Sequence, residues 1–146
     1  MDNPAVQKQK IDYSELTTGY EFPQTSFRLN SNMVTAYLKA VNDNNTLYRD
    51  ANLVPPMAIV ALTMATLAKS ISLPEGAIHV SQELEFLNTV SLQDTITSRA
   101  KVSRKQKSGR FHLLTIELHL HNQNKIEIIC GQTEFILPFL NDGGEK

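Results

Sequence analysis

Twelve consecutive residues do most to decide what this chain can fold into. From Met57 to Ala68 it reads MAIVALTMATLA, and only Thr63 and Thr66 are polar. Pro55 and Pro56 stand directly in front. Proline has no backbone N–H to donate, and the first turn of a helix needs no such donor, so the pair marks a helix start. Apolar groups surround the whole circumference, which predicts a helix enclosed on most sides. Lys69 is its first charge, placed where a cation favours the helix C-terminus. At this length the run cannot span a membrane, which takes about 20 residues. Other parts of the chain must cover it.

The second half supplies strands for the purpose. Between Ala77 and Val90, Ile78, Val80, Leu84 and Phe86 alternate on one face, with Gln82 a polar exception. His79, Ser81, Glu83 and Glu85 take the other. Thr95 to Ser103 reads as a short strand, and Lys105 to Gly109 as turn material. From Phe111 to His121, Leu114, Ile116, Leu118 and Leu120 alternate with Thr115, Glu117, His119 and His121. Asn122 to Lys125 (NQNK) is a tight turn, and Lys125 to Leu137 is the last strand, with Gly131 marking a bulge. Hairpin connections require antiparallel pairing, and an antiparallel sheet must cover its apolar face. The expected architecture is α+β: a sheet wrapped around a central helix at about residues 56–70.

Upstream, Glu21 to Asn30 (EFPQTSFRLN) reads as a first strand weakened by Pro23. Ser31 then looks like an N-cap for a helix whose Val34, Tyr37, Leu38 and Val41 share one face. The Asn and Asp residues from Asn42 to Asn45 compete with helical hydrogen bonds and end it. A polar loop follows, from Asp43 to Val54. Residues 1–12 and 141–146 are polar and expected to be flexible, leaving one domain over 13–140.

Charge and cysteine content narrow the function. With 14 basic and 15 acidic side chains, the near-neutral balance argues against a nucleic-acid or anionic-membrane binder. The one basic run, Lys101 to Arg110 (KVSRKQKSGR), reads as a solvated hairpin, with a phosphate-contacting patch the alternative. A single cysteine, Cys130, excludes an internal disulfide, and its apolar run reads as a buried, inert thiol. No charged segment followed by an apolar core opens the sequence, so a cytoplasmic protein is expected.

Three stretches carry a family resemblance: AYLKAVNDNNTLY (Ala36 to Tyr48), VPPMA (Val54 to Ala58) and IHVSQELEFLNTVSLQDT (Ile78 to Thr95). Together they resemble the MaoC-like (R)-specific enoyl hydratases and 3-hydroxyacyl dehydratases of hot-dog fold, over roughly residues 20–138. The resemblance implies acyl-CoA or acyl-ACP as ligand, no cofactor, and a homodimer or a heterodimer with a related hot-dog subunit. That family's signature, Asp-x-Asn-Pro-Leu-His, falls on Asp43, Asn44, Asn45, Thr46, Leu47 and Tyr48. Asp and Asn are retained; Thr46 replaces proline and Tyr48 replaces histidine. Thr89 and Gln93 likewise replace the Pro and Gly of the family's Pro-Val-x-x-Gly-Asp corner.

By this resemblance the catalytic candidates are Asp43, Asn45 and Tyr48: Asp43 to orient water, Asn45 to hold the loop, Tyr48 in place of the base. Moving water on or off a 2,3-double bond needs a group that exchanges protons near neutrality. Histidine does so with a reference pKa of ~6.5, whereas tyrosine sits near ~10. The family includes two-subunit dehydratases in which one subunit lacks the histidine and shapes the acyl pocket, and Tyr48 resembles that type. Pro56, Met57 and Ala58 are the substrate-binding candidates, because N–H groups at a helix start can polarise a thioester carbonyl. The residue-level alternatives are an Asx turn for Asp43, a packing aromatic for Tyr48 and an ordinary helix start for Pro56. A hot-dog thioesterase, using an acidic residue near the same helix, is a third functional reading.

Histidine gives two further patterns. His119 and His121 share a strand face beside Glu117, a wetted surface or an incomplete metal set, while His112 falls on the other face. His79 is a second histidine source for the site, but its expected strand face points away from the loop.

Overall fold

The computed structural model describes residues 10–138. Of the ends expected to be flexible, 1–9 and 141–146 lie outside the described residues. Ile11–Asp12 lies inside them as β1, paired in parallel with β3 (Ile71–Ser72).

Among the described residues five strands make the main sheet: β2 (Thr25–Phe27), β4 (Ile78–Phe86), β5 (Ile96–Ser108), β6 (Phe111–His121) and β7 (Glu127–Pro138). Their order is β2-β5-β6-β7-β4, and every pairing is antiparallel. β6 occupies the middle, so the face carrying Leu114, Ile116, Leu118 and Leu120 is sealed, each residue at most 1% exposed. These side chains form one core with Ala58, Ile59, Val60 and Leu67 of α3 (Pro56–Ala68). The sheet around a helix expected from the sequence is the observed arrangement.

α3 begins at the predicted prolines, and its two threonines are satisfied within the helix. Thr63 and Thr66 donate to the carbonyls of Ile59 and Leu62 at 2.8 and 2.9 Å. The helix is less enclosed than expected, however. Met57, Ala61, Ala65 and Ala68 form an exposed stripe along one side.

Two bulges redirect side chains that simple alternation misplaces. In β4 the register slips between His79 and Ser81, with Val80 as the extra residue. The slip turns His79 onto the core-facing side with Gln82, Leu84 and Phe86. There its ring stacks on Phe135 at 4.9 Å, and Nε2 lies 2.6 Å from the hydroxyl of the sealed Thr133. Ile78 and Val80, expected to be buried, are 57% and 43% exposed. In β5 a second slip at Ser103 puts Lys105 in the core-facing row with Leu114. Its ammonium donates to the carbonyls of Tyr13 and Leu16 at 2.8 and 2.9 Å, so the basic run is a strand and turn rather than a wholly solvated hairpin.

Gly131 is not a bulge. It pairs in register with both Leu84 and Leu118. A Cβ there would lie 2.0 Å from the Glu83 carbonyl oxygen, so only glycine lets β4 approach. The first strand is also shorter than predicted: among the described residues, apart from a bridge between Glu21 and Lys101, only Thr25–Phe27 pairs.

Candidate functional site

The polar loop is built by the way α1 (Ser31–Ala40) stops. Asn30, one residue before the predicted cap, accepts the Met33 N–H through its side chain. At the other end Asn42 takes φ 55°, the left-handed conformation. The Asp43 N–H then reaches back to the Leu38 carbonyl at 2.9 Å, and the Asn42 N–H to Lys39 at 3.2 Å. This double closure satisfies the last helical carbonyls and aims the chain at Asp43. Val41, counted on the apolar face, is 51% exposed because the helix has already ended there.

Two side-chain turns follow. Asp43 Oδ1 accepts the Asn45 N–H at 2.9 Å, and Asn45 Oδ1 accepts the Leu47 N–H at 3.0 Å. The second leads into a four-residue helix, α2 (Leu47–Asp50), inside what the sequence presents as loop. α2 carries Tyr48, which is half-buried. Asn52, again left-handed at φ 56°, donates its amide to Gln93 at 2.9 Å. Val54 donates to Val90 at 2.8 Å, stitching the approach to α3 onto the corner before β5. Asp94 fixes that corner by accepting the Ser91 N–H at 2.9 Å and the Gln123 amide at 2.8 Å, and these bonds hold its carboxyl below the usual range.

Between α1, the loop and α2 lies an open cleft of about 580 Å³. Asp43, Asn45 and Tyr48 all line it, so the three catalytic candidates converge. Lys39, Arg49, Asn52 and Leu92 line it too and were missed in the sequence reading; the left-handed Asn52 has no signature there beyond its residue type. Pro56, Met57 and Ala58 are not among the lining residues. Ala58 is buried, and its N–H already donates to the Pro55 carbonyl at 3.0 Å. The N–H of exposed Met57 is therefore the better placed donor of the two. His79 sits on β4, outside the cleft's lining.

On the outer face of the sheet, His119 is held by two carboxylates. Nε2 lies 2.6 Å from Glu117 and Nδ1 3.0 Å from Glu127, while His121 lies 3.5 Å from Glu127. The Glu117 bond, then Glu127, raises the His119 pKa against the opposing effect of burial. Among the described residues no three His, Cys, Asp or Glu side chains are grouped to hold a metal. Cys130 shares this face and is half-buried, not fully buried as expected; desolvation and then Glu127 push its thiol pKa up, which disfavours the thiolate. Among the described residues no helix is long and apolar enough to cross a membrane.

Comparison with known proteins sets this geometry in context. The family model for the FAS1-like dehydratase domain region matches residues 16–129. No curated protein matches the chain. Among solved structures, the unliganded R-hydratase PhaJ1 from Pseudomonas aeruginosa is similar with a TM-score of 0.76 at 21% identity, over 88% of this chain and 86% of that one. The (R)-hydratase of A. caviae involved in PHA biosynthesis gives 0.72 at 23%, over 85% and 98%. RV0216 of Mycobacterium tuberculosis, which has a double hot-dog fold, gives 0.72 at 14%, over 94% of this chain and 47% of that one. These likenesses establish the hot-dog fold.

Proposed function

Because the chain belongs to the FAS1-like dehydratase region family, we propose that it binds an acyl thioester, acyl-CoA or acyl-ACP, and adds or removes water as an (R)-enoyl hydratase or 3-hydroxyacyl dehydratase. One observation carries the reading: Asp43, Asn45 and Tyr48 line a single cleft at the end of α1. Asp43 has one oxygen committed to the Asn45 N–H, which leaves the other to accept from a water molecule. Asn45 shapes the loop through its own bond to Leu47. Tyr48 donates a hydrogen bond from its phenol and orients that water. The Met57 N–H, at the positive end of α3, polarises the thioester carbonyl.

A second reading rests on Tyr48 itself. A phenol exchanges protons poorly near neutrality, and on this reading the chain is the acyl-binding, non-catalytic subunit of a heteromeric dehydratase. Either role fits association with a second hot-dog unit, since RV0216 carries a double hot-dog fold within one chain.

Crotonyl-CoA hydration by the purified protein separates the readings. For the enzyme, the parent is active and Asp43→Asn lowers kcat/KM by roughly 10²-fold or more. For the subunit, the parent binds crotonyl-CoA without turnover, and Tyr48→His gains hydration. Release of free CoA would identify a thioesterase. A parent that neither binds nor converts the thioester sinks all three.

A further inference from the structure

A second concave region lies apart from the acyl cleft and shares no residue with it. Arg99 and Lys101 on β5 stand opposite His119 and Glu117 on β6, all on the outer face of the sheet. With Glu21 and His121 they line a groove of about 560 Å³. Arg99 and His121 also line an adjoining hollow of about 510 Å³ that reaches Lys125, so the two form one surface.

The pairing of charges here is unusual. Glu117 faces Lys101 across the ladder, where an ion pair would be expected. It turns instead to His119, and Glu127 is likewise taken up by His119 and His121. Among the described residues neither Arg99, Lys101 nor Lys125 lies within ion-pair distance of a carboxylate. Arg99 is nonetheless anchored: its Nε donates to Gln24 at 3.2 Å, and among the described residues its two terminal nitrogens make no hydrogen bond. The groove therefore offers one anchored guanidinium and two lysines, while two of its nearby carboxylates are occupied by histidine.

From this we propose that the groove binds a phosphate-bearing small molecule on the outer face of the sheet. Arg99 supplies the planar fork that suits two phosphate oxygens, and Lys101 and Lys125 supply point charges on either side. Sites two apart on a strand lie roughly 7 Å from each other, so one phosphate group can sit between Arg99 and Lys101. Among the described residues Glu21 is the one lining carboxylate without a histidine partner, and its place opposite Lys101 biases the site toward ligands that keep their charge at the Arg99 end.

Titration of the 15N-labelled protein with sodium pyrophosphate, followed by NMR, tests this without reference to turnover. Saturable shifts at Arg99, Lys101, His119 and His121 are expected. The Arg99→Gln/Lys101→Gln double variant should weaken them about tenfold or more, and Lys69→Gln, which removes one exposed charge outside the groove, should leave them within about twofold. ADP and CoA then serve as competitors. Displacement by CoA identifies the phosphates of a thioester carrier, and displacement by ADP alone identifies a separate nucleotide-like ligand; both support the site. Non-saturable shifts, shifts confined to the Asp43 cleft, or equal loss in Lys69→Gln and the double variant would overturn it. Because the readout is binding on the outer face, its failure leaves the acyl-thioester reading standing, and the reverse also holds.

Discussion

Single atoms decide two features of the sheet. At Gly131 the carbonyl of Glu83 leaves no space for even a methyl group, and the obstacle is backbone, which cannot rotate aside. Gly131→Ala should therefore force β4 and β7 apart and cost at least about 2 kcal/mol in chemical denaturation; a change below about 0.5 kcal/mol would contradict this. His119 makes the second case, through pH. Its carboxylate partners raise its pKa above the ordinary 6.5, so its contribution to stability is complete below that value and is lost as pH rises through the folded pKa. Glu127, held below 4.5 mainly by its bond to His119, contributes above that value and loses the contribution as pH falls through its own folded pKa. Both terms are present together between pH 4.5 and 6.5. The stability lost in His119→Gln should peak in that window at about 0.2–1 kcal/mol, the range of a partly exposed pair, and fade above it. A pH-independent difference in urea unfolding would sink the assignment.

At the level of elements, the end of α1 matters most to the site, because Asn42 in its left-handed conformation both terminates the helix and aims Asp43. Asn42→Gly should keep stability and binding, since glycine adopts that conformation freely. Asn42→Val should cost about 1–2 kcal/mol and weaken crotonyl-CoA binding, as a β-branched residue is strained there. Equal stability for the two variants would show that the turn does not depend on this backbone. The same element shows what the sequence could and could not reveal. A run of Asn and Asp announced that the helix stops, because those side chains compete for backbone bonds wherever they stand. Which of them turns left-handed, and that α2 forms five residues later, depends on the stitching of Asn52 and Val54 to the distant corner at Val90 to Gln93. α3 was legible from its paired prolines and the unbroken apolar run behind them, and β6 from a long alternation that only a strand satisfies. The bulges at Val80 and Ser103 were not: an extra residue inverts parity without changing composition, so His79 and Lys105 turned inward unannounced. Gly131 drew notice for the wrong reason, since a glycine in a strand reads equally as a bulge or as a close approach.

For the molecule as a whole, the two edges of the sheet are unequal. β2 is three residues long and offers little to pair with, whereas β4 runs for nine along the opposite edge. Long, uncovered edges are usually blunted by charge, proline or a covering element. β4 does carry Glu83 and Glu85 and has the bulge at Val80, yet Ile78, Val80, Phe86 and the following Leu87 remain 41–57% exposed. Among the described residues nothing pairs with the outer side of β4, so an isolated chain would leave this apolar surface in water beside an open backbone ladder. A second copy meeting β4 antiparallel through a twofold axis would satisfy both at once, because the same patch serves each partner. Sedimentation at about 10 µM should then give a dimer, and an Ile78→Lys/Val80→Lys double variant should weaken association by roughly 100-fold. Association that stabilises the fold must also make thermal unfolding depend on concentration in the parent and much less so in the variant. A parent that stays monomeric at about 100 µM, or a double variant that dimerises as tightly, would mean that β4 meets something other than its own copy, and the related subunit of a heteromeric dehydratase would be the next partner to try.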